Sequence, residues 1–174
     1  GSGMTAQELI TAMTIGSIHP EEERTKNDLG RFGLGMKTAS FSQCRNVTAC
    51  SKIKKTGNRT QSISVARWDL DELRSGEWKL LHYPDNQAEL LIAELTPKSS
   101  GTLLMWQNLD RLVDVGEEGK LRADAEADFW RVARDVERHL SLTFHRFLIA
   151  PPGKRALKIS INNRKISPLD PFLS

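Results

Sequence analysis

The chain has 174 residues, 39% hydrophobic and 27% charged, which suits one globular domain or slightly more with a sizeable core. Its 25 basic and 22 acidic residues leave a net charge of +3 and an isoelectric point near 9.0, compatible with nucleic acid but not a footprint of it. It has no apolar run near eighteen residues, no basic segment leading into an apolar stretch, and only Cys44 and Cys50, without a CxxC pair; this predicts no transmembrane helix, no secretory signal, no disulfide framework or zinc site, and a cytoplasmic location.

Thr5-Ala-Gln-Glu8 is a capping box opening a helix with Leu9, Ile10 and Met13 on one face, ending near Gly16. Residues 16–31 are polar, aperiodic and broken by Pro20, the pattern of a lid, a binding loop or disorder. Residues 33–42 read as a helix opened by glycines. Alternation predicts strands over 46–53 and 62–68, joined by a basic turn at 54–59. A short helix is expected over 69–74, a short strand over 78–82, and strands over 88–95 and 101–106. Residues 124–144 form a long amphipathic helix with Phe129, Val132, Ala133, Val136 and Leu140 at 3.6-residue spacing. Leu157, Ile159 and Ile161 alternate in a last strand before an Asn162-Asn163 turn. The order is mixed α/β rather than regular βαβ winding.

The chemistry concentrates in Gly30-Arg-Phe-Gly33-Leu-Gly35-Met-Lys37-Thr38-Ala-Ser40, three glycines in six residues just before a helix. Glycines let backbone amides approach a ligand, and a helix start offers unpaired N–H groups, so the segment suits an anion such as a nucleotide phosphate. The alternative is a tight turn that only packs the helix. A dinucleotide fingerprint fails because the order is G-x-x-G-x-G rather than G-x-G-x-x-G. A P-loop fails because Met36 intervenes before Lys37-Thr38, and one extra residue turns a helical side chain by about 100 degrees.

This segment resembles the second glycine box of the GHKL ATPases: gyrase, the large heat-shock chaperones, histidine kinases and MutL. The likeness is nearest to MORC-type and chaperone-like members. Gly1-Ser2-Gly3-Met4 resembles the end of the family's first box, D-x-G-x-G-M, although a Gly-Ser start is also how a cloning scar begins. Gly101-Thr102 resembles the third box, a Gly-Thr opening a central strand. The resemblance implies an α+β fold of the Bergerat type: a two-layer sandwich with a mixed sheet, helices on one face and an ATP lid. It also implies an ATP-binding domain over 1–150, lacking its first helix, and the start of a transducer-like segment over 151–174.

The resemblance further implies roles. Gly30, Arg31, Phe32, Gly33, Leu34, Gly35, Met36 and Lys37 would cradle the phosphates with their amides, and Ser17 would close with the lid. Lys37 either reaches a phosphate or lies on the wet face of its helix. Thr38 and Ser40 are weaker candidates, because hydroxyls on a helix's first turns usually bond its own carbonyls. Gly1, Gly3 and Met4 would border the adenine pocket, and Thr102 would bond the adenine-reading aspartate. The family's water-activating glutamate, its Mg²⁺-holding asparagine and that aspartate would precede residue 1, so no catalytic or metal-binding residue is expected within the chain.

The implied function is the ATP-binding module of a GHKL-type ATPase. In complete form it would hydrolyse ATP with Mg²⁺, bind ATP or ADP, and form a homodimer when ATP-bound, away from membranes. DNA binding stays open. The alternative class is a nucleotide-sensing or protein/DNA-interaction module without turnover. A histidine-kinase catalytic domain fits less well, because a long C-terminal helix with a hairpin is present and a phosphoacceptor helix is not.

Overall fold

A computed structural model describes residues 1–14, 35–54, 62–72, 79–110, 124–150, 153 and 155–172. The chain divides into two compact units, Gly1–Leu112 and Val113–Ser174.

The first unit is built on a sheet in the order β2-β1-β3, with β1 at Asn46–Lys52, β2 at Ile63–Asp69 and β3 at Gly101–Gln107. Both pairings are antiparallel, so the described part of the sheet carries no parallel pair. Val47 stands between Trp68 and Trp106, Ala49 between Ala66 and Leu104, and Ser51 between Ser64 and Thr102. Every residue of β1 is buried, because it has a strand on each side and cover on both faces.

One face carries the core. Val47, Ala49, Ala66 and Trp68 pack with Cys44 and with Leu9 and Met13 of α1 (Ala6–Met13), and Met4, Met36 and Phe41 close around them. The expected capping box holds α1. Glu8 accepts the Thr5 N–H at 2.7 Å, and the Thr5 hydroxyl accepts the Glu8 N–H at 3.2 Å. At the other end Trp68 donates to the Met13 carbonyl at 2.8 Å. Helix α2 (Gly35–Phe41) is tied to β3 by the Trp106 indole, which donates to the Ser40 hydroxyl at 2.9 Å.

The opposite face of the sheet, where Cys50, Val65 and Leu103 stand beside Thr48 and Arg67, lies under α3 (Ala88–Leu95). Arg67, 8% exposed, reaches Asp85 and Glu72 at 3.1 Å each, and Asp85 also accepts from Gln107 at 3.1 Å. The α+β class holds, with described helices on both faces of the sheet.

The expected strand over 88–95 is a helix. Asp85 accepts the Ala88 N–H at 2.7 Å, satisfying an amide of the first turn, and Ala, Leu and Glu are all good helix formers. The expected strand over 78–82 is reduced, within the described residues, to an isolated bridge between Leu81 and Arg67. Of the short helix expected over 69–74, Asp69 ends β2, residues 70–71 turn and residue 72 is 3-10 helix; 73 and 74 lie outside the described residues.

In the second unit α4 (Ala125–Thr143) realises the long amphipathic helix, followed by α5 (His145–Leu148). Its apolar stripe is only partly buried, since Phe129 and Val136 are exposed. The last strand is shorter than its alternation suggested: β4 (Ser160–Ile161) pairs with β5 (Arg164–Lys165). Asn162 and Asn163 turn between them with φ of 48° and 64°, a left-handed pair that asparagine tolerates. Arg164 holds this hairpin to α4 by donating to both carboxylate oxygens of Glu137 at 2.8 and 2.7 Å.

Candidate functional site

Three segments far apart in sequence meet at one end of the sheet: residues 1–4, the end of β1, and the start of β3. The Ser2 carbonyl accepts the Lys54 N–H at 2.8 Å, and the Gly1 carbonyl accepts the Ser100 hydroxyl at 2.8 Å. Gly3 has φ +72°, and a Cβ there would overlap the Lys52 carbonyl. Only glycine lets this segment lie so close against β1.

Ser51 sits at the centre of the junction, with no exposed surface. Its hydroxyl accepts the Met4 N–H at 2.8 Å and lies 2.8 Å from the Thr102 hydroxyl and 3.3 Å from the Gly101 carbonyl. Thr102 itself is exposed. Ser51, which the sequence reading did not single out, therefore joins Met4 to Thr102. Its one signal was its place on β1, directly opposite Thr102.

Ser17, Gly30, Arg31, Phe32, Gly33 and Leu34 lie outside the described residues. Of the second glycine box the structure describes Gly35, Met36, Lys37 and Thr38, on α2. Met36 packs against the core below α1. Among the described residues nothing lies within 4 Å of where a Cβ on Gly35 would stand. The Thr38 hydroxyl points back to the Gly35 carbonyl at 3.5 Å, the local bonding expected of a hydroxyl early in a helix. Ser40 differs, accepting from Trp106 across the sheet instead.

Lys37 does not lie on the wet face of its helix. Its ammonium, 4% exposed, donates to the carbonyls of Ala12 at 2.9 Å and Thr14 at 2.7 Å. Those carbonyls belong to the C-terminal end of α1, where helical C=O groups lack partners and the helix dipole is negative. Burial lowers the ammonium pKa below the usual lysine range.

Glu8 sits in the α1 cap, and bonds from the Thr5 backbone and hydroxyl lower its pKa from the usual carboxylate value. Cys50, buried beside Ser51 in sequence, is pushed up to about 11 by desolvation, so its thiol stays protonated. Among the described residues no three His, Cys, Asp or Glu side chains gather in a group able to hold a metal ion. No described helix is long and apolar enough to cross a membrane.

A family model described as histidine kinase-, DNA gyrase B-, and HSP90-like ATPase matches residues 1–102, more than half of the chain. The matched span takes in residues 1–4, the whole of β1 and β2, and Gly101-Thr102. No curated protein matches the chain.

Proposed function

Because the chain belongs to the histidine kinase-, DNA gyrase B-, and HSP90-like ATPase family, we propose that it is the ATP-binding module of a MORC-like or chaperone-like member, acting in the cytoplasm and dimerising when ATP is bound. The observation that carries this reading is the junction of Met4, Ser51 and Thr102. It holds residues 1–4 and the start of β3 together at a pair of hydroxyls, groups that in this reading a purine edge could meet. The open space over Gly35 supports the same reading. A glycine in a helix weakens it relative to alanine, and nothing in the described fold requires one at this position.

In this reading the amides of the second glycine box face the phosphates, residues 1–4 and Thr102 face the base, and Ser17 and its neighbours cover the nucleotide. The residues described do not supply a Mg²⁺ site; the ion would come with the triphosphate. Glu8 is committed to the α1 cap, so no described carboxylate is assigned as a general base. Hydrolysis, its coupling to dimerisation and any action on DNA are assigned to no described residue in this reading.

Calorimetry with ATP and ADP in the presence of magnesium tests the reading on wild type and on a Gly33→Ala, Gly35→Ala variant. Wild type should bind, and the variant should bind at least tenfold more weakly. A wild type that binds neither nucleotide ends the ATPase reading. Binding without phosphate release above background favours a nucleotide-sensing module without turnover.

A further inference from the structure

The charge of the chain is unevenly placed. Between Glu137 and Asp170 there is no acidic residue, while Arg138, Arg146, Lys154, Arg155, Lys158, Arg164 and Lys165 are basic. The whole chain carries +3, so these seven cations leave −4 for everything outside the stretch. All of them but Lys154 are described, all those described are exposed, and among them only Arg164 meets a carboxylate. A one-sided excess of this kind suits an anionic partner.

A cleft opens in the same unit, between α4 and the β4–β5 hairpin, with a volume of about 340 Å³, within the range of ligand sites. Trp130, Ala133, Arg134 and Glu137 line it from α4, at the spacing that puts side chains on one helix face. Ile161 and Arg164 line it from the hairpin. Arg164 donates to both Glu137 oxygens through Nη2, at 2.8 and 2.7 Å, which leaves its Nε and Nη1 donors over. The same bonds offset the Glu137 charge, which would otherwise repel an anion. Arg134 is exposed, and its guanidinium has no ion pair or hydrogen bond among the described residues. Two guanidinium forks with donors to spare therefore line one cleft, and such a fork takes a carboxylate or a phosphate through paired N–H groups.

The rest of the lining favours the carboxylate. Ala133, Ile161 and the 44% exposed Trp130 reward contact with an apolar side chain, which a sugar–phosphate backbone does not carry. The basic stretch has the same mixture elsewhere, with Phe147, Ile149 and Leu157 exposed among Arg146, Arg155 and Lys158. We propose that the cleft binds an acidic peptide segment of a partner protein. An apolar side chain of that segment lies against Trp130, Ala133 and Ile161, and its carboxylates pair with Arg134 and Arg164. This interaction is separate from nucleotide binding and does not depend on it.

The test is fluorescence anisotropy with the 174-residue chain and three labelled probes. They are the peptide Asp-Glu-Leu-Phe-Asp-Glu, the same peptide with Asn and Gln in place of its acids, and a short oligothymidylate. The acidic peptide should bind about tenfold or more tightly than its amide counterpart. Arg134→Glu should weaken the acidic peptide by about tenfold or more, and Trp130→Ala by about fivefold. Lys165→Glu, on the hairpin but outside the cleft, should change affinity by less than about threefold.

An acidic peptide that fails to bind at millimolar concentration, or binds no better than its amide counterpart, overturns the proposal. If Lys165→Glu weakens binding as much as Arg134→Glu does, the attraction is diffuse and the cleft is not the site. If oligothymidylate binds more tightly and displaces the peptide, the surface serves nucleic acid and the proposal falls. Should Trp130→Ala fail to fold, Arg134→Glu decides, because the Arg134 guanidinium has no described partner to lose.

Discussion

Gly3 and Gly35 show that two glycines in one family of motifs serve different ends. Gly3 is required by the fold, because its φ of +72° and the Lys52 carbonyl leave no room for a Cβ. Among the described residues nothing stands where a Cβ on Gly35 would project. Gly3→Ala should therefore destabilise the protein, by about 2 kcal/mol or more, because overpacking and a strained backbone add. Gly35→Ala should leave thermal stability unchanged or slightly raised while weakening nucleotide binding. Thermal unfolding of the two variants side by side checks the contrast, and equal losses would contradict it. Lys37 makes a second prediction. Its pKa is lower folded than unfolded, so between its lowered value and 10.5 the unfolded chain binds more protons, and stability rises with pH across that window. Wild type should gain stability relative to Lys37→Met as pH rises toward 10.5, in denaturant titrations at each pH. Residues of this kind are poorly legible in a sequence. Lys37 looks equally suited to a phosphate or to solvent, and only the packing of α2 beside the end of α1 assigns it. Ser51 looks like any small residue in an alternating strand until its neighbours arrive.

At the level of elements, legibility follows how local the cause is. Helix α1 is written in four consecutive residues, and its capping box forms as read. Strands β1, β2 and β3 follow from alternation that sorts Val47, Ala49 and Ser51 from Asn46, Thr48 and Cys50. Helix α3 escaped because eight mostly apolar residues fit a buried strand and a buried helix alike, and the deciding bond, Asp85 to the Ala88 amide, lies outside the run. The α1 cap yields a prediction with a definite sign. Glu8 has a depressed folded pKa, so the anchoring it gives is present above its unfolded value near 4.5 and is lost as pH falls through the lowered folded value. In melts from about pH 6 down to pH 3, wild type should lose its advantage over Glu8→Gln. A constant difference across that range would show that the carboxylate charge plays no part.

For the whole molecule, β1 is the member on which the first unit depends. It is buried along its full length, carries a strand on each side, and meets helices on both faces. Its amides should be among the slowest in the first unit to exchange with deuterium, slower than those of β2 and far slower than those of β4 and β5. Exchange in β1 as fast as in β4 would mean that the sheet opens locally rather than with the unit. The family's order of boxes made the meeting of residues 1–4 with Thr102 legible before any coordinates. The order said nothing of the strand that mediates it, because that contact is a matter of register.

Thr14 and Lys37 stand 23 positions apart, yet a single ammonium joins them. The Lys37 ammonium fastens the start of α2 to the end of α1. The entropy of closing such a circuit grows only with the logarithm of its length, by about 0.6 kcal/mol for each doubling. The number of residues between the first and second glycine boxes is therefore nearly free to change, while the frame of α1, α2 and the sheet stays as it is.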